Sequence, residues 1–351
     1  MSKEDPPRIA VPRLPTRRAV LGSAAAALLA VACKRAEKPA PGQATLPPGG
    51  TVPQRTLGRT GVKVSCLGLG GYHLGLPKDP ALATRLMHMA VDHGVTFMDN
   101  CWDYHDGESE RRMGNALHDR RDKVFLMTKL DGQTRASAEK QLEESLRRLR
   151  TDRIDLVQMH EIIRPEDPGR IFAEGGAIEA LLAAKQAGKV RYLGFTGHKD
   201  PTYHVAMLDK SKLHGDVFDT VQMPLNVMDA HYRSFEKLVL PRLVDQRIGV
   251  LGMKPLGSGK ILKSGVVSAE ECLRYALSLE TSTVITGCEE VGVLEQALRV
   301  AMSFVPMSAE ERLAVLGRTA PFAGAGEYEE FKTTDRHDGT AKNPQWLGLP
   351  A

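Results

Sequence analysis

Val124-Phe125-Leu126-Met127-Thr128-Lys129-Leu130, then Glu139-Lys140-Gln141-Leu142-Glu143-Glu144-Ser145-Leu146-Arg147-Arg148-Leu149, then Ile154-Asp155-Leu156-Val157-Gln158-Met159-His160 is a strand–helix–strand unit. The outer runs are short, apolar and bounded by charged or turn residues, as strands buried on both faces are. The middle run repeats leucine at helical spacing and fills its other face with charge. Outward from this unit the alternation continues in both directions. Further apolar runs lie at 63–69, 96–100, 190–196, 220–223, 249–254 and 283–287. Helical patterns occupy 81–93, 109–119, 135–149, 177–187, 203–209, 235–246, 268–279 and 291–302.

Eight strands alternating with eight helices, at about 30 residues per unit, is the count that closes a (β/α)₈ TIM barrel. An open doubly wound sheet carries an early phosphate-binding glycine fingerprint. Gly68-Leu69-Gly70-Gly71 does not match that pattern. Residues 56–61, Thr-Leu-Gly-Arg-Thr-Gly, predict an N-terminal β-hairpin under the barrel floor. Gly94, Gly188 and Gly249 follow helical stretches, where a left-handed cap or turn is wanted. The tail beyond Met302 shows little periodicity and is expected to be irregular, packing partly over the barrel mouth.

The composition, 42% hydrophobic and 26% charged over 351 residues, suits a globular domain with a sizeable core. Net charge is +4, but the first 32 residues hold five basic and two acidic groups, leaving about +1 for the rest. That balance excludes a nucleic-acid surface, which needs a clustered basic excess. The excess comes from an N-terminal segment with its own logic. Arg17-Arg18 precede an alanine-rich apolar run, Ala19 to Ala32, too short to span a bilayer. Residues 1–32 therefore read as a twin-arginine signal peptide, with the export machinery as partner and a periplasmic destination. Leu29-Ala30-Val31-Ala32-Cys33 offers both a small-x-small cleavage site and a lipobox-like stretch, so lipidated Cys33 is a possible membrane tether. Residues 33–53 read as a flexible linker, 54–305 as the barrel and 306–351 as the tail, in a chain expected to be a monomer. The five cysteines form no C-x-x-C pair, so neither an iron–sulfur nor a zinc-ribbon motif is present and no metal site is expected.

Barrels of this kind gather catalytic groups at the C-terminal ends of their strands. Asp99 ends the second strand, with Tyr104 in the loop beyond it; Lys129 ends the third and His160 the fourth. Hydride delivery to a carbonyl builds charge on oxygen that must be stabilised and then protonated. A tyrosine supplies that proton, a lysine cation eases its ionisation, an aspartate holds the lysine, and a histidine donates to the oxygen. Each residue alone has ordinary structural uses; together, at successive strand ends, they describe one site.

The run Phe97-Met98-Asp99-Asn100-Cys101-Trp102-Asp103-Tyr104-His105-Asp106-Gly107-Glu108-Ser109-Glu110 resembles the signature of the aldo-keto reductase superfamily. Met127-Thr128-Lys129, Asp155 to His160 and Gly188 to Phe195 are similar to further motifs of that family, and the likeness runs from about Thr56 to Met302. The resemblance implies an NAD(P)-dependent oxidoreductase acting on an aldehyde, ketone or alcohol, a sugar among the options. Tyr104 would be acid/base, Lys129 with Asp99 would tune it, and His160 would position the substrate oxygen. It also implies that NADP or NAD lies along Gly70, Gly71, Asp99, Thr196, Gln222, Met253, Leu256, Gly257, Gly287 and Glu289.

Three positions depart from the family pattern. Gly197 follows Thr196 where the family often has asparagine, and Met253 stands where many members stack a tyrosine on the nicotinamide. After the eighth strand, Gly287 and Val293 replace the cations that grip a 2′-phosphate, with Glu289 and Glu290 between them. This tilts the expectation toward NAD, although Lys254 or Lys260 could still meet a phosphate. Two alternatives stay open: a membrane-tethered binding barrel without turnover, and an isomerase or dehydratase using a tightly held cofactor. Trp102, His105, His198, Tyr328 and Trp346 are candidates to line the mouth, where aromatics would suit a sugar or aryl carbonyl.

Overall fold

In a computed structural model, Leu46 and residues 50–349 are described. The signal-peptide reading, Cys33 and most of the linker lie outside the described residues.

Eight parallel strands close into a barrel in chain order: β3 (Leu67–Gly70), β4 (Phe97–Asp99), β5 (Phe125–Leu130), β6 (Ile154–Met159), β7 (Val190–Thr196), β8 (Thr220–Pro224), β9 (Gly249–Met253) and β10 (Thr283–Thr286), which pairs back with β3. Helices connect the strands, so this is a (β/α)₈ TIM barrel. An antiparallel hairpin, β1 (Gln54–Thr56) with β2 (Lys63–Ser65), precedes it. The apolar run at 63–69 is therefore two strands: it serves the hairpin up to Ser65 and enters the barrel at Leu67.

Two cores hold the fold. Inside the barrel, Phe97, Phe125, Met127, Leu156, Leu251 and Ile285 pack with Leu57 and Val64 of the hairpin segment. The rings of Phe97 and Phe125 stack with centroids 5.3 Å apart. A larger core lies between the outward faces of the strands and the helices. The hairpin thus closes the barrel floor with Leu57, and Gly249 admits it. A Cβ on Gly249 would fall 2.8 Å from Leu57 Cδ1. Gly249 belongs to β9 rather than to a helix cap. The left-handed turn before that strand is made by Arg247, with φ 53°. Gly94 and Gly188 do adopt positive φ, 86° and 74°.

The helical pattern at 235–246 is broken into Phe235–Leu238 and Leu240–Asp245. Pro241 is tolerated in the first turn of the second helix but cannot continue the first. The tail differs most from expectation. It contains a 15-residue helix, Ala309–Ala323, started by a capping box in which Ser308 and Glu311 satisfy each other's backbone amides. The tail then crosses toward the C-terminal ends of the strands. There the Gly339 and Thr340 amides donate to Glu161 at 2.8 and 2.7 Å, and Asp338 meets His198 and Lys199 at 3.0 and 2.7 Å.

Candidate active site

Side chains alternate across a strand, so the residue two or four beyond an inward core residue also points into the barrel, one layer higher. Phe97 puts Asp99 there, Met127 puts Lys129 there, and Leu156 leads through Gln158 to His160. This layer rims a cleft of about 840 Å³ at the C-terminal face. Asp99, Tyr104, Lys129 and His160 all line it.

Lys129 Nζ donates to Asp99 Oδ1 at 2.6 Å, to the Asn100 carbonyl at 2.7 Å and to the Tyr104 hydroxyl at 3.2 Å. Gln222 Nε2 donates to the other Asp99 oxygen at 2.7 Å. The His160 ring stands edge-on to Tyr104, centroids 6.0 Å apart. A carbonyl oxygen placed between the phenol and the imidazole would meet a donor from each.

The electrostatics depart from the expected easing of the phenol. Desolvation in the cleft, reinforced by Asp99, Cys101, Asp103 and Glu161, pushes the Tyr104 pKa well above its ordinary value. Lys129 divides its charge between a carboxylate and a carbonyl at shorter range, leaving the phenol the longest of its three bonds. Tyr104 is thus a protonated phenol in this state, the form needed to give a proton to a carbonyl oxygen. Burial opposes an imidazolium at His160, but Asp131 and Asp103 outweigh it and raise its pKa. His160 Nδ1 bonds Asp131 Oδ1 at 2.8 Å, which fixes the ring and leaves Nε2 for the cleft.

Sequence reasoning missed several groups that the fold adds: Asp103, Asp131 and Glu161, and the tail residues Arg336, His337 and Lys342. Asp131 lies beyond the end of β5 and Glu161 beyond that of β6, and no motif marks them. Glu161 sits in the left-handed region, φ 47°, gripping the tail. Burial works against its carboxylate, but His160, His198 and the tail amides hold its pKa below the ordinary value. Lys254, also left-handed at φ 56°, lies 5.2 Å over the Phe331 ring. Burial lowers its pKa to about 8.

Among the expected cofactor residues, Gly70, Asp99, Thr196, Gln222, Met253, Leu256, Gly287 and Glu289 line the cleft. Gly71 and Gly257 do not. A Cβ on Gly71 would fall 2.6 Å from the Asp99 carbonyl, so it packs behind the wall, and Gly257 abuts Ile261 and the Tyr328 carbonyl. Glu289 bonds His73 Nδ1, tying the loop after β10 to the one after β3. His105 and His198 line the cleft, whereas Trp102 is engaged in packing: it stands edge-on to Trp346 and donates to Glu144.

Residues 66–271, more than half of the chain, match the Aldo/keto reductase family. The chain belongs to that family and is an oxidoreductase. It is 31% identical over 312 residues to the uncharacterized oxidoreductase YrpG of Bacillus subtilis (strain 168), covering 79% of this chain and 88% of that one. It is also 31% identical to an L-galactose dehydrogenase of Arabidopsis thaliana, over 60% of this chain and 67% of that protein. In three dimensions it resembles the holo form of aldo-keto reductase AKR11C1 from Bacillus halodurans, with a TM-score of 0.65 at 24% identity. That likeness covers 80% of this chain and all of the other.

Members of the family use nicotinamide cofactors, and the residues present fit one. Gln222 Oε1 is buried without a hydrogen-bond partner, as an acceptor waiting for a carboxamide N–H would be. Gly70 and Gly287 keep the adjoining wall low; a Cβ on Gly287 would strike the His73 ring.

Proposed function

We propose that the protein reduces a small aldehyde or ketone, or oxidises the matching alcohol, with Tyr104 as the proton donor and acceptor. The observation that carries this reading is the convergence of Lys129 Nζ on the Tyr104 hydroxyl at 3.2 Å, with His160 across the same cleft. A nicotinamide held by Thr196, Gln222 and the loop after β9 would supply or take up the hydride. The chain's own residues do the rest. His160 donates to the substrate oxygen and stabilises charge as it develops. Tyr104 passes its proton to that oxygen, and Lys129 meets the negative charge left on the phenolate. Asp99, held by Gln222, keeps Lys129 aimed at the phenol.

On the cofactor side, our reading leans to NAD. Glu289 and Glu290 line the cleft after β10 and would repel a 2′-phosphate. Dissociation constants for NADH and NADPH test this; selective binding of NADPH would overturn it. We also propose export through the Arg17-Arg18 segment, tested by fractionation of cells expressing wild type and an Arg17→Lys/Arg18→Lys variant. Equal distribution of the two would overturn it.

The catalytic reading is tested by following NAD(P)H absorbance with a panel of aldehydes, ketones and sugars, beside Tyr104→Phe. Sugars enter the panel because one relative is named a sugar dehydrogenase. Removing an acid/base group costs roughly 10²–10⁴ in kcat, with cofactor binding little changed. A variant that turns over within threefold of wild type would sink the assignment.

A further inference from the structure

Four side chains from beyond the ends of three successive strands, Cys101 and Asp103 after β4, Asp131 after β5 and His160 after β6, bring a sulfur, a nitrogen and two carboxylate oxygens within 4.8 Å of one another. His160 Nδ1 lies 3.2 Å from Cys101 Sγ, 2.8 Å from Asp131 Oδ1 and 3.8 Å from Asp103 Oδ1. A tetrahedral divalent ion, with bonds of about 2.0 Å to nitrogen and oxygen and about 2.3 Å to sulfur, sets ligand-to-ligand edges of roughly 3.3–3.6 Å. The three separations depart from such edges by roughly half an ångström or less.

Hydrogen bonds within the cluster do not satisfy it. Asp103 Oδ1 and Asp131 Oδ2 are buried with no hydrogen-bond partner, and the Asp131 side chain is 0% exposed. A buried acceptor left unpaired is costly, and more so when charged. The nearby ammonium of Lys129 is already committed to Asp99, Asn100 and Tyr104. Cys101 is fully buried, while Asp103 also lines the cleft, which gives an ion a way in.

We propose that this cluster binds one zinc-class divalent cation through Cys101 Sγ, His160 Nδ1 and one oxygen each of Asp103 and Asp131. Binding displaces the thiol proton and the Nδ1 proton to solvent; no electron moves and no other bond changes. Thiolate with imidazole selects zinc-like ions over magnesium or calcium. Bound there, the ion would take over from the Asp131 hydrogen bond in locking the His160 ring and leave Nε2 facing the cleft, so the groups proposed for hydride transfer keep their places.

The test reads metal rather than turnover and stands whether or not the redox reading does. Co²⁺ is titrated into full-length protein stripped with chelator. One Co²⁺ per chain is expected, with a thiolate-to-cobalt charge-transfer band and tetrahedral visible bands that Zn²⁺ abolishes by competition. Cys101→Ala should lose the charge-transfer band and Cys288→Ser should keep it, with folding of both checked by circular dichroism. Asp103→Asn changes a side chain that reaches the cleft, so it tests the site even if the buried Cys101 variant fails to fold. It should weaken Co²⁺ binding at least tenfold while retaining the band. No band at stoichiometric cobalt, a band that survives Cys101→Ala in folded protein, or unchanged affinity in Asp103→Asn would overturn the site.

Discussion

Lys332→Met removes the ammonium that ties the tail to the loop after β8. Its Nζ donates to Asp229 Oδ1 at 2.6 Å, to the Tyr232 carbonyl at 2.8 Å and to Glu329 Oε2 at 2.9 Å, and all three charged side chains are 0% exposed. Removing one partner of a buried ion pair costs about 3–5 kcal/mol, because the other charge stays behind. Two features pull the cost toward the lower end. Asp229 keeps bonds from Ser234 and from the Phe235 and Glu236 amides. Glu329 keeps Asn226, and burial has already pushed its carboxyl up to about 7, so it can take a proton instead.

About 3 kcal/mol corresponds to roughly 6–12 °C in Tm, nearer the low figure for a chain of this size. The pH dependence has a definite sign. Lys332 is among the groups that lower the Glu329 pKa, so the variant's carboxyl titrates higher still. Below that pKa the native variant holds a neutral acid, and the penalty falls; above it, the penalty is full. Thermal melts at pH 8 and pH 5.5 should therefore show a larger gap to wild type at pH 8. Arg336, His337 and Lys342 of the same tail line the cleft, so KM should rise more than kcat falls. The double variant Lys332→Met/Glu329→Gln should recover part of the loss. A gap below about 1 kcal/mol at pH 8, or one equal at both pH values, would refute the reasoning.

Lys254→Met should raise stability at pH 7 by about 1–2 kcal/mol, because native wild type there carries a half-buried ammonium. The wild-type pKa near 8 lies below that of the unfolded chain, so wild type gains stability as pH rises from 8 and the advantage should shrink by pH 10 in melts. Gly58→Ala should cost about 2–4 kcal/mol by urea unfolding. Gly58 has φ +48°, and a Cβ there would fall 2.3 Å from the backbone nitrogen of Gly249, which cannot swing aside. A cost under 1 kcal/mol would show that the hairpin floor is softer than its packing implies.

The barrel was legible because periodicity is local. Each strand–helix unit carries its own pattern, and eight such units have few other ways to close. Strand ends then carried part of the site as well: Asp99 and Lys129 lie at the ends of the second and third barrel strands, and the structure stands them above Phe97 and Met127 by even spacing, facing the cleft. The helix at Ala309–Ala323 escaped notice because its apolar face is weak, burying only Val315, Thr319 and Ala323. Gly71 and Gly257, expected along the cofactor, pack against the Asp99 carbonyl and against Ile261 and the Tyr328 carbonyl, neighbours that no local pattern names.

What the chain of residues determined by itself was the order of strands and the inward face of each. Which loop groups meet at the mouth was decided in three dimensions. Cys101, Asp131 and His160 converge from positions about 30 and 60 apart because closure of the barrel places the ends of β4, β5 and β6 side by side. Glu161 and Lys254 take left-handed turns to reach their partners, and the tail returns from beyond the last barrel helix to meet Glu161. Such meetings depend on through-space distance between loops of different units, a quantity no local pattern encodes.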